Sequence, residues 1–168
     1  MTQWPNENIA RIDSMKFEPI TPEMAPWVER IYAGDVEKYW LYTNDWWYAV
    51  SQQNKGIACE LIWVEGLPEP VGLIAYGPFY EDAELTQRRT GWYEIIHLVI
   101  HQPYQRRGYG VQATRLAVER LRARPDCQAI VIAHNPENLG ARRLYERLGF
   151  VEISQNYDGD PLLQLVNL

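Results

Sequence analysis

The chain has 168 residues, 46% of them hydrophobic, and a net charge of −6 at neutral pH. That length suits one sizeable core and is short for two, and the apolar share excludes a disordered chain. No uninterrupted apolar run approaches the roughly 20 residues of a membrane helix, and the acidic balance argues against nucleic acid, so a soluble protein with neither membrane nor nucleic-acid partner is expected.

The start, MTQWPNENIARIDSMKFEPI, lacks a basic flank followed by an apolar stretch, so residues 1–14 read as a polar tail rather than a signal peptide, ahead of one domain over 15–168. SMKFEPI alternates as a short strand. Thr21 is placed to cap a helix with Pro22 at its first position, running to about Tyr32 and ended by Gly34. A second helical stretch is expected through EKYWLYTNDWWYAVSQQ, although its aromatic load and Asn44-Asp45 are weak helix formers. CELIWVE and PVGLIAYGPFY are strand-like, and GLPEP between them signals a hairpin turn.

EDAELTQRRTG is polar enough for a loop. WYEIIHLVIH then reads as a strand buried on both faces. After QRRGYG, Val111, Thr114, Ala117, Val118 and Leu121 recur at helical spacing until Pro125. CQAIVIA is a continuous apolar strand, so strand, helix and strand form a right-handed crossover with the two strands parallel. For the last helix, Asn135 is the expected cap, Ala141, Leu144, Tyr145 and Leu148 the apolar stripe, and Gly149 the stop. FVEIS and PLLQLV close the chain as strands.

Two stretches carry chemistry. QRRGYG sits where a buried strand hands over to a helix, a place where successive backbone N–H groups and the helix dipole favour an anion. It is neither a Walker A loop nor a complete dinucleotide fingerprint, and a plain turn is the bland alternative. Downstream, NPENLGARRLYERLGF sets Asn138, Ala141 and Tyr145 at offsets of three and seven, on one helical face. That line of amide, small residue and phenol suits an extended ligand, the alternative being that Ala141 and Tyr145 are core.

Together these stretches resemble the GCN5-related N-acetyltransferase (GNAT) family. Its acetyl-CoA loop, Q/R-x-x-G-x-G/A, is met by Gln105, Gly108 and Gly110, and its later segment by Asn138, Ala141, Tyr145, Gly149 and Phe150. The resemblance is detailed from about Trp92 to Val166. It implies an α/β fold with a mixed central β-sheet, splayed between strands 4 and 5 and flanked by about four helices. It also implies that the backbone of Leu98, Val99 and Ile100 pairs with the pantetheine arm of acetyl-CoA. The amides of Arg106, Arg107, Gly108, Tyr109, Gly110 and Val111 would hold the pyrophosphate, Asn138 and Ala141 would border the cofactor, and Tyr145 would face the sulfur. Members often form homodimers, and the aromatic surplus leaves material for such an interface.

Only Cys59 and Cys127 are present, without a metal-ligand spacing, which argues against a disulfide framework or a metal site and favours the cytoplasm. Residues 1–100 carry 7 Lys and Arg against 15 Asp and Glu, net −8, whereas residues 101–168 carry 9 against 7, net +2. The basic half suits the phosphates and the acidic, aromatic half a cation. Trp40, Trp46, Trp47 and Tyr48 with Glu81, Asp82 and Glu84 are the candidate acceptor-binding residues, the alternative being that Trp46 and Trp47 are core and the acidic loop is simply solvated; YQRRGYG with PENLGARRLYERLGF looks like the bacterial spermine/spermidine acetyltransferase branch. Small cationic amines or polyamines lead as acceptors, beside a protein lysine or N-terminus, or acyl-CoA sensing without catalysis.

An amine with a pKa of about 10.4 is mostly a cation, so transfer needs a base. Glu94 leads, with His97, His134 and water open as alternatives. In a regular strand Glu94 and His97, three apart, face opposite sides unless a bulge intervenes. Members that acetylate ribosomal proteins often carry a glutamate twelve residues before the tyrosine; here that position is Ala133. Tyr145 is the expected proton or hydrogen-bond donor to the departing thiolate.

Overall fold

Alternation in Met15–Pro19 (β1) turns Phe17 inward, where it meets Ile62 of Ala58–Val64 (β2) across an antiparallel pair. These elements belong to a computed structural model that describes residues 15–166, so the expected polar tail over 1–14 lies outside the described residues. The hairpin anticipated around GLPEP joins β2 to Gly72–Tyr80 (β3), with Leu61 opposite Leu73. Arg88–Ile100 (β4) comes next, so the strand takes in Arg88 to Gly91, which composition assigns to a loop. Ala129–Ala133 (β5), Phe150–Gln155 (β6) and Pro161–Leu165 (β7) complete a seven-stranded sheet of order β1-β2-β3-β4-β5-β7-β6. β4 and β5 are parallel and every other pair is antiparallel.

The parallel pair requires a crossover, and Tyr109–Arg122 (α3) supplies it. Its stripe of Val111, Ala117, Val118 and Leu121 joins Ile62, Ile74, Ile95, Ile130 and Ile132 in one core, and Leu144 and Tyr145 of Leu139–Arg147 (α4) pack on its border. On the other face, Val28 of Pro26–Arg30 (α1) and Trp47 of Asn44–Gln53 (α2) bury Leu61, Leu73, Ala75 and Val99. The α/β architecture with helices on both faces of a mixed sheet is therefore as expected. Among the described residues no helix is long and apolar enough to cross a membrane.

Local boundaries depart from expectation for identifiable reasons. The helix expected over Pro22–Tyr32 starts only at Pro26: a second proline lacks the N–H that would continue a helix begun at Pro22, and residues 22–25 form i→i+3 turns instead. The second helical stretch is split into a 3₁₀ turn, Asp35–Tyr39, and α2. Trp40 between them is extended, and Thr43 starts a fresh helix by accepting from Trp46 N. For α4 the cap is Asn138, whose Oδ1 accepts from Ala141 N at 3.2 Å; Asn135 instead closes a local turn by accepting from Glu137 N.

β4 is not uniformly buried. Glu94, Ile96, His97 and Leu98 remain half-buried, and all four line a cleft. Its register to β3 passes from Tyr76 opposite Ile95 to Ala75 opposite His97, leaving Ile96 as an extra residue. Such a bulge inverts the facing of the residues after it: Ile95 and Leu98 pack on one core, Ile96 and Val99 on the other.

Candidate active site

Pairing between β4 and β5 runs from Trp92 opposite Ala129 to Ile95 opposite Ile132 and then stops. Beyond that point β5 is bonded to β7 through Ile132 and Ala133 while β4 continues to Ile100 beside β3, so the sheet opens there. A cleft of about 150 Å³ occupies the opening. Glu94, His97 and Leu98 enter it from β4, His134 from the end of β5, and Asn138, Ala141 and Tyr145 from the start and body of α4. The offsets of three and seven on α4 thus bring all three of its expected residues to one wall. Glu94 and His97 share the cleft because of the bulge; the regular-strand expectation that they diverge is corrected.

The two β4 groups sit in different surroundings. Burial, reinforced by the negative charge of Asp158, pushes the Glu94 carboxyl up to about 8. Burial pushes His97 down to about 4. Asn44 donates its amide hydrogens to Val28 O and Ile31 O, both at 3.0 Å, so its Oδ1 must accept from His97 Nε2 at 2.8 Å. With Trp40 edge-on at 4.8 Å between ring centroids, His97 is a neutral strut tying β4 to α2.

His134 is oriented differently. Its Nδ1 lies 2.7 Å from Asn135 O, and a carbonyl only accepts, so that nitrogen carries the hydrogen. Nε2 of the neutral ring is then a lone pair, buried and without a hydrogen-bond partner among the described residues. Tyr145, on the facing helix, is raised by burial to about 12 and stacks edge-on to Phe150 at 6.1 Å.

The glycine loop lies between the far end of β4 and α3, and none of residues 105–111 lines the cleft itself. Gly108 adopts φ +83 and ψ 7, the left-handed conformation that opens α3, and Arg106 before it is also left-handed at φ +65. Gln112 N is bonded back to Gly108 O, whereas the preceding amides of Tyr109, Gly110 and Val111 are those that helix geometry leaves without an intrahelical carbonyl. Gly110 lies against Ile100 and Leu144, so the start of α3 abuts both the end of β4 and α4. Gln105 donates to Ala33 O at 2.8 Å and Ile100 O at 2.9 Å, fixing the loop to β4. Arg107 lies over the Tyr104 ring at 5.6 Å, and Arg106 is exposed. Of the three β4 residues expected at the cofactor, Leu98 lines the cleft, whereas Val99 and Ile100 do not, the Val99 side chain being buried in the opposite core.

On the acidic side the structure redistributes the expected residues. Trp47 and Tyr48 pack against the core of α1 and α2, and Trp40 and Trp47 also border the cleft. Asp82 accepts from Thr86 N and Gln87 N and so holds its own loop, while Glu81 pairs with Arg89 at 3.8 Å. Besides Glu94, the carboxylates at the cleft are instead Asp158 and Asp160, near Tyr157, from the turn joining β6 and β7. That turn carries no functional mark in the sequence. QNYDGDP has the composition of any exposed turn, and Asn156 builds it by accepting from Asp158 N and Asp160 N. Its partner across the cleft is Tyr42, which lies just beyond the extended Trp40. Among the described residues no group of three or more His, Cys, Asp or Glu is arranged to hold a metal ion.

Comparison with known proteins agrees with this fold. The profile described as the Acetyltransferase (GNAT) family matches residues 21–150. No curated protein matches the chain. Among solved structures, an aminoglycoside acetyltransferase, AAC(6')-Ib, in complex with coenzyme A and kanamycin is 19% identical, covering 92% of this chain and 94% of that one, with a TM-score of 0.68. An acetyltransferase from Thermus thermophilus is 20% identical over 92% and 98% of the two chains, TM-score 0.65. One from Agrobacterium tumefaciens str. C58 is 13% identical over 94% of each, TM-score 0.70. At these identities the likeness is one of fold.

Proposed function

The chain belongs to the GNAT acetyltransferase family and is an acetyl-CoA-dependent acyltransferase; from that premise we propose that it moves the acetyl group directly onto a primary amine of a small cationic acceptor such as a polyamine, with no covalent enzyme intermediate. The observation that carries this reading is that Glu94, with its raised pKa, and Tyr145 share one cleft where β4 and β5 part. The cosubstrate supplies an acetyl group already activated as a thioester. The free edge of β4 at Leu98–Ile100 offers backbone groups to its pantetheine arm, and the outward amides of Arg106–Val111 suit its pyrophosphate. Gln105 fixes that loop, and Asn138 and Ala141 wall the passage between.

Magnitudes favour Glu94 as base. Taking a proton from an amine of pKa about 10.4 is uphill by about 3 kcal/mol for a group near 8, and by about 9 kcal/mol for one near 4, which leaves His97 out. His134 Nε2, a lone pair in the same cleft, is the second candidate, as acceptor or relay. Tyr145, raised by burial, is too weak an acid to give its proton to a thiolate: the transfer is uphill by about 5 kcal/mol against a thiol near 8.5. It acts as a neutral hydrogen-bond donor to the sulfur.

The acceptor reading rests on Asp158 and Asp160 lining the cleft together with the aromatic Trp40 and Tyr42, a surface that attracts an ammonium group. The neighbouring aminoglycoside acetyltransferase, whose structure holds kanamycin, makes cationic amines a reasonable class to test. A panel of polyamines, aminoglycosides, amino acids and basic peptides, assayed for acetyl-CoA-dependent thiol release, tests it. Release with small polycations supports the reading, release with basic peptides alone replaces it with protein acetylation, and no release across the panel refutes it.

The same reading treats residues 15–168 as one catalytic domain working in the reducing cytoplasm, consistent with two free thiols, Cys59 buried and raised to about 12. It also takes the chain as a homodimer, for which exposed Val151 and Ile153 on the edge strand β6 offer apolar surface. Sedimentation at micromolar concentration decides that point.

A further inference from the structure

A second cavity, of about 520 Å³, lies beside the cleft, walled by α2 and by the loop between β3 and β4. Tyr42 lines both, so the two spaces meet at one side chain. The second cavity has an aromatic wall: Trp46 is 49% exposed and stacked on Tyr42, with ring centroids 5.4 Å apart at 27°. Val50, Ala83 and Leu85 add apolar surface, and Gln53 and Asn54 add amides. Among the described residues, Glu84 is the one charged group in its wall, and no cationic side chain lines it.

The loop that carries Glu84 is held in place rather than loose. Asp82 gathers Thr86 N, Gln87 N and the Thr86 hydroxyl, and Leu85 is kept left-handed at φ +58. A leucine adopts that conformation only when its surroundings impose it. The charges converge on the junction as well: burial first, then Asp158, Asp160 and Glu84, push the Tyr42 hydroxyl up. An apolar, aromatic groove ended by a carboxylate fits methylene groups followed by a cation.

Resting on the acetyltransferase reading above, we propose that the groove of Trp46, Leu85 and Glu84 is a second subsite that holds the remote cation of an elongated acceptor, so that the enzyme selects linear diamines and polyamines over monoamines. One ammonium group, losing its proton, is acetylated in the cleft at Glu94; the alkyl chain passes Tyr42; the remote ammonium rests on the Trp46 face against Glu84. Selection then depends on chain length, because both ends must be seated at once.

The test compares α,ω-diaminoalkanes of increasing length with n-alkylamines of matched length, by acetyl-CoA-dependent thiol release, in the wild-type protein and in Glu84→Gln and Trp46→Ala. The wild type is expected to favour the diamine about twofold to fivefold in kcat/KM at one optimal length, by analogy with a single cation–aromatic contact at an exposed ring. Each substitution is expected to lower that ratio by most of the same factor, mainly through the KM of the diamine. Equal turnover of diamines and monoamines, or a ratio unmoved by both substitutions, overturns the subsite while leaving the acetyltransferase reading intact. Lysine peptides outperforming every diamine would also overturn it. Absence of thiol release with any amine overturns both.

Discussion

The Tyr42 hydroxyl donates to Asp158 Oδ1 at 3.2 Å, joining the segment before α2 to the β6–β7 turn across 116 positions of sequence. Both residues line the cleft, so the contact holds a carboxylate on its wall, where a cationic acceptor would meet it. Asp158→Asn keeps the hydrogen bond and removes the charge. It is expected to raise the KM for a cationic acceptor about threefold to tenfold and to leave the affinity for acetyl-CoA unchanged. Steady-state kinetics beside calorimetry with coenzyme A checks both.

Glu94 sets a pH dependence. A base must be ionised to act, so kcat/KM for an acceptor should rise with pH and bend near 8, where Glu94 loses its proton. Glu94→Gln should lower kcat by about 10²–10⁴-fold and abolish that bend. The same group links to stability. Its folded pKa, about 8, exceeds its ordinary 4.5, so the native state holds a proton that the unfolded chain gives up. Stability from this group is fully present below about 4.5 and declines as pH rises through about 8, whereas Glu94→Gln should flatten the change. Denaturant midpoints across that range report it.

Tyr145→Phe removes a hydroxyl that faces the cleft without altering the ring that packs on Phe150. Turnover should fall while the affinity for acetyl-CoA stays nearly intact. Unchanged turnover would remove Tyr145 from the chemistry.

Asn44 and His97 form a test of structure separate from catalysis. Asn44→Ala leaves two buried carbonyls and the His97 N–H without their partner, so it should cost about 2–4 kcal/mol of stability. Chemical denaturation measures the loss.

How much could be read in the sequence depends on how local each signal is. CQAIVIA and the stripe of α3 carry their burial in consecutive or regularly spaced residues, and their strand and helix formed as read. Asn138, Ala141 and Tyr145 met on one wall because seven residues nearly close two helical turns. Three features depended on partners distant in the chain. The Ile96 bulge arises from the register with β3 and has no mark of its own in EIIHLVI. The break before α2 lets Trp40 reach His97 and Tyr42 reach Asp158, contacts that no helical period encodes. The Asp158 turn looks like any other polar turn, and only the fold brings it to the cleft that Glu94 lines.

Hydrogen–deuterium exchange with and without acetyl-CoA tests the central claim most directly: that the opening between β4 and β5 and the start of α3 receive the cosubstrate. Binding should slow exchange at the amides of Leu98–Ile100 and Arg106–Val111 together, with little change along β1 and β2. Saturation with acetyl-CoA while those two segments exchange as before would contradict the account.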